Sequence, residues 1–313
     1  MLTLTANHPQ KQRRNEYYLK LDLPSIRPLL RVSSELDELI EKVDVFKKPE
    51  LIDDGCGTVY KLCGHKNEEL LIFKPEEYEN ERTPFNELAA YLIDAGMAGV
   101  APTSLVEMKS EGKLRVGSVQ KYLTGTESAA DYGTGVFNVD DVHKIGVLDI
   151  RVVNCDRHSG NILFNEKTKK LIPIDHGLCF PSAFTNLGDA SFDWLLFPQA
   201  KEPFSADTLK QIEEIDLGRD LEVLDSLGFT EDQLLSVLMS TTMLKIGARQ
   251  GKTLFEIGSM IQRQGDRESL SVLEILFSIT LEQVLEDGLP CSWKVFEDEF
   301  TIVFKELSKL LCK

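Results

Sequence analysis

The chain has 313 residues, 42% of them hydrophobic and 27% charged, with a formal net charge of -16. That composition is ordinary for a globular protein, and the length suits two domains better than one or three. An acidic balance this strong disfavours broad binding to nucleic acid or to anionic membrane, and no stretch approaches the length of a membrane-spanning helix.

The opening "MLTLTANHPQKQRRNEYYLKL" lacks the apolar core of a signal peptide. Cys56, Cys63, Cys155, Cys179, Cys291 and Cys312 stand apart without a Cys-x-x-Cys pair, which fits free thiols in a reducing compartment. A cytoplasmic protein is therefore expected. Lys11, Arg13, Arg14, Lys20, Arg27 and Arg31 make the first segment basic against only Glu16 and Asp22. It reads as a solvated tail, capable at most of peripheral, transient contact with acidic lipid.

In chain order, residues 1–49 form an N-terminal extension ending in a lead-in helix over 34–47, "SELDELIEKVDVFK", with Ser34 as its cap. "GTVYKLC" and "ELLIFK" read as a hairpin turning at "GHKN", followed by a helix over 84–95, "PFNELAAYLIDA". "TSLVEM" and "LRVGSVQKYL" are two more strands around Glu111-Gly112, so residues 50–123 make a small β-rich lobe. "TGTESAADYGTG", 124–135, reads as a linker, and residues 124–313 are a helical lobe built from long apolar-periodic segments. A β-rich lobe joined to a helical one implies an α+β fold with a cleft near residue 123.

The chemistry concentrates in "DIRVVNCDRHSGNILFNEKTKKLIPIDHG", residues 149–177. A helix capped by Asn138 delivers the chain to "NCDRHSGN"; "ILF" and "LIPI" then read as a hairpin. A hairpin returns its second end near its first, so Asp175 is expected close to Asp156 and Asn161. Oxygen donors of this kind suit magnesium or manganese, hard ions that share phosphate oxygens. The order Asp-x-x-x-x-Asn, hairpin, Asp supplies a base and two metal ligands for phosphoryl transfer. Upstream, Gly55 and Gly57 lie in a sparse glycine turn able to present backbone N–H groups to phosphate. Lys74 ends a strand, and Glu87 on the next helix is its expected partner. A two-metal phosphoesterase would use the same Asp, His and Asn residues but has no need of the lysine–glutamate pair.

With "FKP" at Lys74, "NELAAYLID" at Glu87, "DDVHKIGVLDIRVVNCDRHSGNIL", "LIPIDHGLC", "FDWLLFPQAKEPFS" and "STTMLKIGARQGKTLFEIG" in view, the chain resembles the phosphatidylinositol 3- and 4-kinase superfamily, and within it the plant type II phosphatidylinositol 4-kinases of the gamma class. The resemblance implies a two-lobed protein-kinase-like fold with a small β-rich N-lobe and a larger helical C-lobe, binding ATP and Mg2+, with Mn2+ as a substitute. Asp156 is then the catalytic aspartate and His158 assists proton handling or braces the loop. Asn161 and Asp175 hold metal, Lys74 contacts phosphate, and adenine lies against the 119–123 segment that contains Gln120, Lys121 and Tyr122. The implied activity is transfer of the ATP γ-phosphate to phosphatidylinositol. A protein serine/threonine kinase or a weakly catalytic scaffold of the same fold are the alternatives. The cysteine-rich anchoring cluster of animal type II enzymes is missing. Trp194, Leu195, Leu196 and Phe197 are expected to pack against the helical lobe rather than enter a bilayer.

Overall fold

The computed structural model describes residues 18–21, 34–44, 46–52, 58–76, 82–110, 113–265, 269–286 and 293–311. They fall into two compact units, residues 1–126 with 175–177, and residues 127–174 with 178–313.

In the first unit, β1 (Tyr18–Leu21), β2 (Glu50–Ile52), β3 (Val59–Cys63), β4 (Glu69–Pro75), β5 (Thr103–Ser110) and β6 (Lys113–Lys121) form one antiparallel sheet of order β1-β5-β6-β4-β3-β2. Side chains alternate across a strand, so one face of β4 sends Leu71 and Phe73 into a core shared with Leu36, Ile40, Val106, Met108 and Val119. Lys74 and Ile72 belong to the other face. In register, Lys74 opposes Ser118, Ile72 opposes Gln120, and Gln120 opposes Thr103. Helix α2 (Thr83–Asp94) packs against β5 and β6. The buried Asp94 carboxylate closes α2 by accepting from the backbone N–H groups of Ala98, Gly99 and Val100 at 2.6, 3.0 and 3.0 Å.

The second unit opens with β7 (Glu127–Ser128), which pairs with β8 (Ile162–Asn165), which pairs with β9 (Lys170–Pro173). Its helices are α3 (Val139–Val152), which packs against β9, and α4 (Ala206–Glu213), α5 (Leu217–Ser226), α6 (Glu231–Arg249), α7 (Leu254–Ile261), α8 (Val272–Glu286) and α9 (Trp293–Leu311). Asn138 caps α3 by accepting from Asp141 N–H at 3.2 Å. At Gly146 on α3, an added Cβ would meet Leu254 Cδ2 at 2.4 Å, so close approach to α7 requires glycine there.

Three sequence expectations need correction. Helix α1 (Ser34–Lys42) stops five residues short of the expected end. Val43 leaves it to bridge Gly64, and Asp44 N–H donates to the Cys63 carbonyl at 3.0 Å, so pairing with the hairpin outcompetes another helical turn. The stretch 124–135 is no bare linker, because Glu127 and Ser128 pair with Phe164 and Leu163, and two short 3-10 turns follow. Its Gly, Ser and Thr content reflects turns rather than absence of order. The helical lobe is not built from long segments alone, since α5 spans ten residues, with Leu217, Leu221 and Leu224 at helical spacing behind the capping Asp216. Trp194, Leu195 and Phe197 are buried, whereas Leu196 is 84% exposed. No helix among the described residues is long and apolar enough to cross a membrane.

Candidate active site

In the strand-rich unit the predicted residues Lys74, Glu87 and Asp175 meet. Lys74 Nζ donates to Glu87 Oε1 at 2.5 Å and lies 3.1 Å from Asp175 Oδ1. Burial alone would lower the lysine's pKa, but the Glu87 and Asp175 carboxylates more than offset it and raise the ammonium to about 12. Burial likewise opposes ionisation of Glu87, and the Lys74 ammonium, with His176, overrides it and holds the carboxyl well below its usual range. The fixed cation is therefore charged at any physiological pH. Asp175 has a left-handed backbone, φ 56°, unusual for a side-chain-bearing residue. Asn86 Nδ2 donates to the Gly177 carbonyl at 2.7 Å, tying that strained segment to α2.

Gln120, Lys121 and Tyr122 sit at the end of β6 and just beyond it. Gln120 is buried, with its amide on Glu87 and Thr103; Lys121 pairs with Glu35; and Tyr122 N–H donates to the Leu70 carbonyl at 2.9 Å. Gly55 and Gly57 lie outside the described residues.

In the helical unit, α3 delivers the chain to the "NCDRHSGN" loop through Val153, a β-branched residue at φ 46°. Such a conformation costs about 1–3 kcal/mol and persists only where the surroundings over-determine it. They do so through Asp149, fully buried near the end of α3. Its carboxylate accepts from Arg157 Nε on both oxygens at 3.0 Å, from Asn154 Nδ2 at 3.0 Å and from Trp194 Nε1 at 3.0 Å. Arg157 also donates to the carbonyls of Asn161 and Ile174, the latter at 2.6 Å. Asn154 Oδ1 accepts from Asp156 N–H at 2.8 Å, and Asp193 Oδ2 accepts from Ser159 N–H at 2.8 Å. The loop is thus fastened at several points, through the buried Asp149, Asn154 and Arg157 and the partly buried Asp193.

That clamp leaves the Asp156 carboxylate half-exposed, with Asn161 Nδ2 donating to its Oδ2 at 3.3 Å and to its carbonyl at 2.9 Å. Asn161 Oδ1 accepts no hydrogen bond among the described residues. An oxygen donor is thereby presented beside a carboxylate, and within the strand-rich unit Asp175 keeps its own carboxylate half-exposed; each is a hard donor of the kind magnesium takes. His158 Nδ1 accepts from Gly160 N–H at 3.0 Å, so in the neutral ring the proton resides on Nε2, 4.0 Å from Asp156 Oδ2. A Cβ on Gly160 would collide with the His158 ring at 2.8 Å. The neighbouring Cys155 is no nucleophile, since burial, with Asp189 and Asp156 nearby, pushes its thiol up to about 12.

Sequence reasoning missed Asp149, Asn154, Arg157, Asp193 and the inward turn of Gln120. The signal for the first was present: an aspartate inside the apolar run "GVLDIRVV" must have a partner, and of the two downstream arginines Arg151 pairs with Asp220, so that Arg157 is the one that serves it.

The family model described as phosphatidylinositol 3- and 4-kinase matches residues 75–257. The chain belongs to that family. It is 38% identical over 311 residues to phosphatidylinositol 4-kinase gamma 3 of Arabidopsis thaliana, covering 81% of this chain and 53% of that protein. It is 39% identical over 271 residues to phosphatidylinositol 4-kinase gamma 4 of Oryza sativa subsp. japonica, covering 73% and 47%. The chain spans about half the length of the curated relatives it matches. A solved structure, the Helicobacter pylori proinflammatory kinase CtkA, aligns with 67% of this chain and 92% of that one at 16% identity and a TM-score of 0.34, a likeness too slight to argue from.

Proposed function

We propose that this chain transfers the γ-phosphate of ATP to an alcohol, and that the acceptor is the inositol headgroup of phosphatidylinositol. The observation that carries the reading is the Lys74 ammonium, fixed by Glu87 and Asp175 in the strand-rich unit of a chain whose relatives are named phosphatidylinositol 4-kinases. Lys74 would hold phosphate oxygens through its ammonium. Asp156, half-exposed, would orient the incoming hydroxyl and accept its proton, and His158, with Nε2 4.0 Å from that carboxylate, would assist proton handling or brace the loop. Asn161 Oδ1 and the Asp175 carboxylate would hold a magnesium ion. When bound, that ion would supply positive charge to the phosphates. The rest of the acceleration would come from positioning, which is why the loop bearing Asp156 is anchored so heavily.

A phosphatidylinositol headgroup carries one phosphodiester charge, which matches a chain whose segment 176–205 holds a single cation, Lys201. That lysine is already engaged over the Phe255 ring at 5.0 Å, so multiply phosphorylated headgroups find no basic cradle in this segment. The test is radiolabel transfer from ATP with phosphatidylinositol micelles and a protein acceptor in parallel. Label is expected in lipid, falling at least ~100-fold in Asp156→Asn. Label in protein alone would move the acceptor to a serine or threonine hydroxyl, and wild-type turnover in Asp156→Asn would refute the assigned base.

A further inference from the structure

The two carboxylate oxygens of Glu87 have different partners: Oε1 accepts from Lys74, and Oε2 accepts from Gln120 Nε2 at 2.8 Å. The other amide proton of Gln120 goes to Thr103 Oγ1 at 3.1 Å. Thr103 in turn donates its hydroxyl proton to the Ala101 carbonyl at 2.8 Å. With that proton spent, the hydroxyl oxygen can only accept. The amino end of Gln120, not its carbonyl, must therefore face both Thr103 and Glu87. Glu87, Gln120 and Thr103 are 1%, 6% and 4% exposed, so water does not compete for these bonds. His176, on the remaining side of Glu87, has Nδ1 3.6 Å from Oε2, close enough to act on the carboxylate by charge but longer than the Gln120 hydrogen bond at 2.8 Å. Gln120 is then the neutral donor that fixes the second oxygen of the carboxylate.

Resting on the phosphotransferase reading above, we propose that Gln120 is a positioning residue. Through a Thr103–Gln120–Glu87 relay it sets the plane of the Glu87 carboxylate, and with it the place of the Lys74 ammonium. The relay explains why a glutamine occupies the β6 position opposite Thr103. An apolar residue there would leave Oε2 free to rotate away from β4, and a carboxylate would set a second negative charge against Glu87.

Two readouts test this on the full chain. The first is acylation of Lys74 by an amine-directed reagent, followed by mass spectrometry against the exposed Lys210 as internal standard. It needs no phosphate transfer, so it decides the relay even if both acceptor assays are blank and the functional reading fails. Gln120→Leu is expected to speed labelling of Lys74 several-fold. Adding it to Glu87→Gln should change the rate no further, a dependence that a merely structural role for Gln120 would not produce. The second readout is steady-state kinetics, where Gln120→Leu should lower kcat about 10-fold with KM for ATP moved less than about 3-fold. Should Gln120→Leu fail to fold, Thr103→Val removes the acceptor that orients the amide, together with the hydroxyl's own bond to the Ala101 carbonyl, and should speed labelling in the same direction. Wild-type labelling of Lys74 in a folded Gln120→Leu or Thr103→Val protein overturns the proposal. So does full additivity with Glu87→Gln, or a change confined to KM.

Discussion

The Asp149–Arg157 pair is the place to perturb first, because both side chains are fully buried and hold the loop that carries Asp156. Removing one partner of such a pair costs about 3–5 kcal/mol, since the surviving charge is left in a low-dielectric interior. Asp149→Ala also strands the Trp194 and Asn154 donors, at about 1–3 kcal/mol each. The sum reaches the lower range of a domain's whole stability, about 5–15 kcal/mol, so that variant should be at the edge of folding. Asp149→Asn keeps an acceptor for Trp194 and is the measurable single. Arg157→Met removes the cation but leaves Asp149 with two hydrogen bonds, from Asn154 and Trp194. The double variant removes both charges together and should cost less than the two singles combined by about 2–3 kcal/mol. Urea unfolding followed by tryptophan fluorescence measures all three, with Trp194 itself reporting on the site. Phosphate transfer should stay low in the double variant despite the recovered stability, because Asn161 and Ile174 have lost the Arg157 donor. Additive singles, or activity that returns with stability, would refute the claim that a buried charge pair anchors the loop.

The Lys74–Glu87 pair also makes stability depend on pH in a defined sense. Glu87 is depressed in the folded chain, so its contribution is present above the ordinary value of 4.5 and fades as pH falls below it. Lys74 is raised, so its contribution is complete below 10.5 and lost as pH climbs through about 12. The stability difference between wild type and Glu87→Gln should therefore be flat from about pH 5 to 10 and shrink outside that window, as denaturant titrations across pH would show. Gly117→Ala would put a Cβ 2.4 Å from the Phe73 ring and 2.5 Å from the Lys74 carbonyl. It should cost about 1–3 kcal/mol and displace β4, so kcat should fall by more than thermal denaturation alone explains. Asn138→Ala removes the α3 cap and should lower stability by about 1 kcal/mol in urea, with Asn138→Asp retaining most of it.

Much of the candidate site could be read from sequence because its parts have local signatures. The hairpin at 59–75, the helix after Pro84, the cap at Asn138 and the strands flanking "NEKTKK" follow from alternation, periodicity and turn residues, all carried within a few residues. The Lys74–Glu87 contact could be anticipated because one residue ends a strand and the other sits on the next helix, elements whose periods are legible. Boundaries were less legible. Whether α1 continued past Lys42, and whether 127–128 would form a strand, depended on partners in the hairpin and in β8.

The sequence by itself determined element types and the order of chemical groups, since backbone sterics and hydrophobic spacing act over a turn or a strand. Only the tertiary structure decided which polar groups satisfy one another. Asp149 meets Trp194 across 45 residues, and Gln120 meets Glu87 across 33, with nothing local to mark either pair. The cost of an unpartnered buried charge requires that some partner exist, but only long-range packing selects which one.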